Sequence, residues 1–176
     1  TLAMARHRTR VRCASVAKPA PVLMEIDGRE VRITSPDKVF FPETGETKID
    51  LVHHYVRVAE PLMRAMRDRP TLMQRFPDGA GGESFFQKRV PKGTPDWLQT
   101  EVMSTPNGTT SDAMVAADVA HIAWAVNMGC LGFHPWPLRA SDPGNTDELR
   151  IDLDPSPGVD FPMLREAAHE LRTLLD

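Results

Sequence analysis

Two aspartates one residue apart, Asp152 and Asp154, lie in the run Leu149-Arg150-Ile151-Asp152-Leu153-Asp154-Pro155. On a strand, Leu149, Ile151 and Leu153 would enter a core while Arg150, Asp152 and Asp154 point the other way. The two carboxylates would then be roughly 7 Å apart at Cα, close enough to converge on a cation. Hard oxygen donors suit Mg²⁺ or Mn²⁺, and carboxylates bridging two such ions serve phosphoryl and nucleotidyl transfer. The plainer alternative is a half-buried strand with a polar outer face. A second run, Ser84-Phe85-Phe86-Gln87-Lys88-Arg89, interleaves aromatics with basic side chains, a pattern that stacks on bases while neutralising phosphates. Core packing of both rings is its alternative. Lys38 and Lys48 flank a turn and a helix start, where a phosphate could be held; as isolated lysines they would be surface charges. In His134-Pro135-Trp136-Pro137, rigid prolines fix an imidazole and an indole beside a strand end.

The elements that must position these residues can be read from local signals. Met24–Ile26 and Glu30–Ile33 alternate across Asp27-Gly28, a two-residue hairpin. Thr47 and Asp50 form a capping box for a helix running to about Met66, which Pro61 should kink or restart. Leu72–Phe76 and Ser84–Val90 read as strands joined by a glycine-rich turn, which lacks the Gly-Lys-Ser/Thr ending of a P-loop. A helix over Asp118–Met128, a strand at Leu131–His134, a polar loop over 140–148 and a strand at Leu149–Asp154 follow. The last helix starts at Asp160 and lines one face with Leu164, Ala168, Leu171 and Leu175. Residues 1–21, with five Lys or Arg and no acid, read as a basic, disordered tail.

Composition sets limits. The chain has 176 residues, 41% hydrophobic and 26% charged, which excludes collagen, coiled coil and wholesale disorder. Two cysteines make no disulfide framework, and neither Cys-x-x-Cys nor His-Glu-x-x-His offers a zinc site. Cys130, in an apolar run, reads as a small buried hydrophobe, and the His53-His54 pair has no partner at i+4. The most apolar stretch, Ala113–Phe133, contains Asp118, His121 and Asn127 and is too polar to span a membrane. Net charge is −3, but residues 1–92 hold 17 Lys and Arg against 11 acids, and residues 93–176 hold 4 against 13. A basic half joined to an acidic half suits a protein that holds a polyanion beside a cation site.

The order of motifs adds a resemblance. Asp37-Lys38-Val39-Phe40-Phe41-Pro42, Thr47-Lys48, Arg69-Pro70, Arg75-Phe76-Pro77-Asp78-Gly79, Phe85-Phe86-Gln87-Lys88, Pro95-Asp96-Trp97-Leu98, Asn127-x-Gly129, His134-Pro135-Trp136 and Asp152-Leu153-Asp154-Pro155 come in sequence. This series resembles the polymerase domain of bacterial ligase D, in the primase–polymerase superfamily. The resemblance covers about residues 24–176.

It implies an α+β fold with mainly antiparallel strands flanked by helices, and a template-directed nucleotidyltransferase that fills or extends DNA ends in non-homologous end joining. It further implies that Asp152 and Asp154 are catalytic metal ligands in a two-metal Mn²⁺ or Mg²⁺ site. Lys38 and Lys48 would hold a downstream 5′-phosphate, Phe85 and Phe86 would stack on template bases, and Lys88 and His134 would line the site. Implied partners are gapped or broken DNA, nucleoside triphosphates, Ku and a DNA ligase, in a bacterial cytoplasm beside the nucleoid and with no membrane. Residues 22–176 would be the N-terminal portion of such a domain. A Ser-x-His element gripping the triphosphate and a third metal-binding aspartate would lie beyond Asp176. Departures from the family pattern are Ser35 for Asn, Gln74 for Lys and Gly132 for Glu. The expectation for this length of chain is retained DNA-end binding with little or no nucleotide addition. Rival readings are a non-catalytic module that binds 5′-phosphorylated ends and a metal-dependent phosphohydrolase using the same aspartates.

Overall fold

The computed structural model describes residues 19–104 and 108–176. Most of the basic tail therefore lies outside the described residues. The chain opens with a hairpin of β1 (Val22–Ile26) and β2 (Arg29–Ile33), closed by Asp27 and Gly28. Both turn residues have positive φ, 50° and 71°, as a turn matched to strand twist requires. Helix α1 (Lys48–Arg57) follows the expected box: the Asp50 carboxylate accepts from the Thr47 N–H at 2.9 Å and from its hydroxyl at 2.5 Å. The helical stretch breaks at Val58, and α2 (Ala59–Met66) begins anew with Pro61 in its first turn, where a missing N–H does least harm.

A five-stranded antiparallel sheet is built around β3 (Pro70–Arg75). One edge of β3 pairs along its length with β7 (Cys130–Pro135). The other is shared end to end by β6 (Thr110–Val115) at Pro70-Thr71 and by β4 (Phe85–Gln87) at Met73–Arg75. β5 (Thr100–Ser104) completes the sheet against β6. Between β6 and β7 runs α3 (Val119–Asn127), capped by the Asp118 side chain, with every residue from Val119 to Val126 buried. An all-round apolar helix belongs at a core centre. There α3 meets α1, β2 and β7, and Ile33, Val52 and Met73 close the core around its Ile122.

Three expectations need correction. The strand over Ser84–Val90 shrinks to three residues, because beyond Gln87 the chain leaves β3 and the Val90 N–H turns to Asp112 O. The polar loop expected over 140–148 holds a strand, β9 (Asp142–Thr146), all of it exposed, which pairs with β8 (Leu138–Arg139) in a small ribbon. Leu149–Asp154 forms no strand, since none of its backbone pairs with a neighbour among the described residues. Its alternation survives without a ladder: Leu149, Ile151 and Leu153 together face Ala168, Leu171 and Leu175 of α4 (Phe161–Leu175). β5 and β6, by contrast, had no sequence counterpart. Among the described residues no helix is long and apolar enough to cross a membrane.

Candidate functional site

The C-terminal end of α3 is the organising feature. The last carbonyls of a helix lack intrahelical partners and form the negative end of its dipole. Lys48, 6% exposed, reaches this end and donates to Asn127 O at 2.9 Å and to Thr34 O at 2.7 Å. Arg75 donates from Nε to Met128 O at 2.7 Å. Asn127 fixes the opposite wall, its side-chain carbonyl accepting from the Thr34 N–H at 2.8 Å and the Thr34 hydroxyl at 3.1 Å. Lys38 comes from the turn before α1, donates to Pro77 O and lies 3.7 Å from the exposed Asp78 carboxylate. These side chains line an open pocket of about 370 Å³ with Ser35, Phe40 and Gly129.

Among the described residues no carboxylate forms an ion pair with Lys48 or Arg75. Burial lowers the Lys48 pKa, and the charges of Lys38 and Arg75 lower it further. Burial also lowers that of Arg75. Lys48 and Arg75 are thus held by carbonyl oxygens rather than by anions, and with Lys38, whose exposed Asp78 partner lies 3.7 Å away, they leave net positive charge facing the opening. Such a pocket favours a small, multiply charged anion.

Phe85 and Phe86, neighbours on β4, point to opposite faces of the sheet. Both are exposed, at 46% and 55%, because a three-residue edge strand covers neither face. Phe85 lies on the pocket side, its ring 5.2 Å from the Arg75 guanidinium. Phe86 lies on the other side, edge-on to His134 at 5.3 Å. Gln74 and Gly132 share that second face as direct cross-strand partners, so two of the noted departures sit opposite one another. A Cβ on Gly132 would come within 2.7 Å of Gln74 Oε1 and 3.4 Å of His134 Nε2. Lys88 is exposed just past β4, and Trp136 packs with Met103, Ala113 and Leu138.

Asp152 and Asp154 are exposed and make no ion pair among the described residues. No cluster of three or more His, Cys, Asp or Glu side chains gathers among those residues. Two carboxylates alone would fill only part of a hard cation's shell, which would need waters or substrate oxygens besides. Cys130 is fully buried and its thiol is pushed up to about 12 by that burial, in line with a packing role. His53 and His54 are exposed on α1. Sequence reasoning did not single out Arg75 or Asn127 as pocket residues. Their partners lie 53 and 93 residues away, and only the fold brings them together.

An antiparallel sheet built on β3, a buried helix ending in a cation pocket and an exposed aromatic edge strand define an α+β domain of the primase–polymerase type. The comparisons agree. A family model described as "LigD, primase-polymerase domain" matches residues 47–176, and the chain belongs to that family. It is 33% identical over 147 residues to the multifunctional non-homologous end joining protein LigD of Mycolicibacterium smegmatis, covering 82% of this chain and 19% of that protein. It is 34% identical over 147 residues to the bifunctional non-homologous end joining protein LigD of Bacillus subtilis, covering 84% and 23%. The chain therefore spans about a fifth of the length of these curated relatives. Among solved structures it is similar to the polymerase domain from Mycobacterium tuberculosis ligase D in complex with DNA. That match has a TM-score of 0.70 and 30% identity, and covers 82% of this chain and 53% of the other.

Proposed function

We propose that this chain binds 5′-phosphorylated DNA ends through Lys38, Lys48 and Arg75, as part of a template-directed nucleotidyltransferase acting in non-homologous end joining. The observation that carries this reading is the convergence of three cations, held by carbonyls, on one open pocket. A terminal phosphate is a small dianion with oxygens to spare for several donors, and it differs from an internal phosphate by one charge. The pocket's geometry suits that difference. Phe85, beside Arg75, would stack on a template base next to the held phosphate. Phe86, with His134 and Lys88, would serve the opposite face. Asp152 and Asp154 would hold Mn²⁺ or Mg²⁺, which when bound supplies charge neutralisation for nucleotidyl transfer. The chain's own part is to bind the end, orient the template and present two carboxylates. Nucleoside triphosphates are the proposed co-substrates, Ku and a DNA ligase the proposed partners, and the bacterial cytoplasm the proposed setting.

The test compares gapped duplexes carrying a 5′-phosphate or a 5′-hydroxyl, with Mn²⁺ and all four ribonucleotides. Binding that prefers the phosphate, and loses the preference in Lys48→Met, supports the end-binding assignment; equal binding of both ends overturns it. Nucleotide addition lost in Asp152→Ala/Asp154→Ala supports the transferase. Phosphate-selective binding with no addition leaves the end-binding module as the function of this chain.

A further inference from the structure

The segment that carries Asp152 and Asp154 has no strand partner among the described residues, so side chains must tie it to the fold. The chain enters it through Asp147 and Glu148, and Arg69 grips both. Arg69 stands immediately before Pro70 of β3 and is 1% exposed. Its Nη1 meets Asp147 Oδ1 at 2.6 Å, and its Nη2 meets Asp147 Oδ2 at 2.9 Å and Glu148 Oε2 at 2.8 Å. Two further ties lock the same stretch. Arg139 donates to Asp147 Oδ2 at 2.7 Å and to Arg67 O at 2.7 Å. Arg150 pairs with Glu148 and donates to Pro135 O at 2.6 Å, one residue beyond His134.

We propose that Arg69 is a positioning residue for the Asp152–Asp154 carboxylates, acting through Asp147 and Glu148, with Arg150 as its outer counterpart. The inference rests on the metal-binding reading of that pair. A guanidinium is a planar fork, so gripping two successive carboxylates fixes both the position and the rotation of the backbone leaving Glu148. Burying a guanidinium is costly, and here Nε is buried without a partner among the described residues. An apolar side chain would fill the same volume at less cost. What an apolar side chain cannot do is orient a polar segment that has no ladder. Arg69 also immediately precedes β3, the strand that pairs with β7, so the strap ties the backbone leaving Glu148 to the sheet that carries His134.

The test uses the full chain and Mn²⁺ alone as the probe, followed by loss of the free-ion electron paramagnetic resonance signal. Susceptibility of the 149–154 segment to chymotrypsin is measured without metal. Asp152→Ala/Asp154→Ala should abolish binding; Mn²⁺ affinity unchanged in that variant overturns the metal reading and the positioning role with it. If that variant loses binding, Arg69→Lys, which keeps the charge but not the fork, should weaken Mn²⁺ affinity by about tenfold or more. Glu148→Gln and Arg150→Gln, at half-buried and exposed sites, should weaken it in the same direction and speed cleavage at Leu149 or Leu153. They decide the question if Arg69→Lys does not fold. Phosphate-selective DNA binding should stay unchanged in all three. A lowered unfolding midpoint with wild-type Mn²⁺ affinity would make the network merely structural and overturn the proposal.

Discussion

Replacing Lys48 with Met tests the pocket where the electrostatic argument is sharpest. In the free protein this ammonium is in tension. It is buried, it faces Lys38 and Arg75, and among the described residues two carbonyls accept from it. A terminal phosphate reverses the sign of its surroundings. At about 4 Å and an effective dielectric near 20, each unit charge pair is worth about 4 kcal/mol before desolvation. The net for a hydrogen bond to a charged group is smaller, about 1.5–3 kcal/mol. That corresponds to roughly 10- to 150-fold in affinity, which is the expected loss on a gapped duplex with a 5′-phosphate. On the 5′-hydroxyl duplex the loss should stay under about twofold, since the missing contact is with the terminal group. Fluorescence anisotropy on both duplexes at one fixed salt concentration reads the difference, and a salt series should show the slope reduced by about one.

The same residue predicts a pH dependence. A lowered lysine pKa in the fold means that the free native state binds fewer protons than the unfolded chain just below pH 10.5. Stability contributed by this site therefore rises as pH climbs through the lowered value. Phosphate favours the charged form, so wild-type phosphate preference should fall as pH rises through that value. The preference of Lys48→Met should be small and flat. Equal losses on the two duplexes, or a preference that survives the substitution, would refute the reasoning.

Other perturbations reach different parts of the molecule. Phe85→Ala should cost about 1–3 kcal/mol in binding a duplex with a single-stranded template overhang, whereas Phe86→Ala should leave phosphate preference intact; both are read by anisotropy. His121 is buried, accepts at Nε2 from the Gln99 N–H at 3.0 Å and so donates from Nδ1 to Asp118 at 2.6 Å. Burial lowers its pKa from 6.5 despite the neighbouring carboxylate, so stability should decline as pH falls below about 6.5, where the unfolded chain gains the proton first. Urea midpoints between pH 7.5 and 5 should show that slope, and His121→Gln should remove this site's share of it. Gly129→Ala forces a residue with φ of +84° and puts a Cβ 3.1 Å from Phe76 O, an expected destabilisation of about 1–3 kcal/mol by chemical denaturation.

What the sequence revealed is what depends on near neighbours. Thr47, Asp118 and Asp160 cap helices through contacts three residues away, and Asp27-Gly28 closes its hairpin by its own backbone preference. The Leu149–Asp154 run shows the limit. Period-two alternation says which side chains share a face, and they do share one against α4, but it cannot say whether a partner strand exists. β5 escaped notice because its residues other than Met103 are exposed or half-buried, and β6 because its apolar end merges with the run into α3. Phe85 and Phe86 were legible as a pair of aromatics, while their division between two sheet faces follows from pairing with β3, which only the fold supplies.

The charge asymmetry gains its meaning the same way. Read as halves, the basic segment suggested DNA and the acidic segment suggested metal. In the fold, much of that opposition is internal: Arg29 from the basic half pairs with Asp118, and Arg69 takes up Asp147 and Glu148. Those acids are part of the scaffold and unavailable to a cation. What the pairing leaves over is more informative than the totals. On one side remain Lys48 and Arg75, steadied at the end of α3 by carbonyls that cancel no full charge, beside Lys38, whose Asp78 partner is exposed and 3.7 Å away. On the other remain Asp152 and Asp154, outside every ion pair among the described residues. A fold selected only for stability gains nothing from concentrating like charges at either place. On the proposed function both concentrations would become favourable with a phosphate in the first and a divalent cation in the second, and the uncompensated groups, rather than the net charge, would mark where those ligands belong.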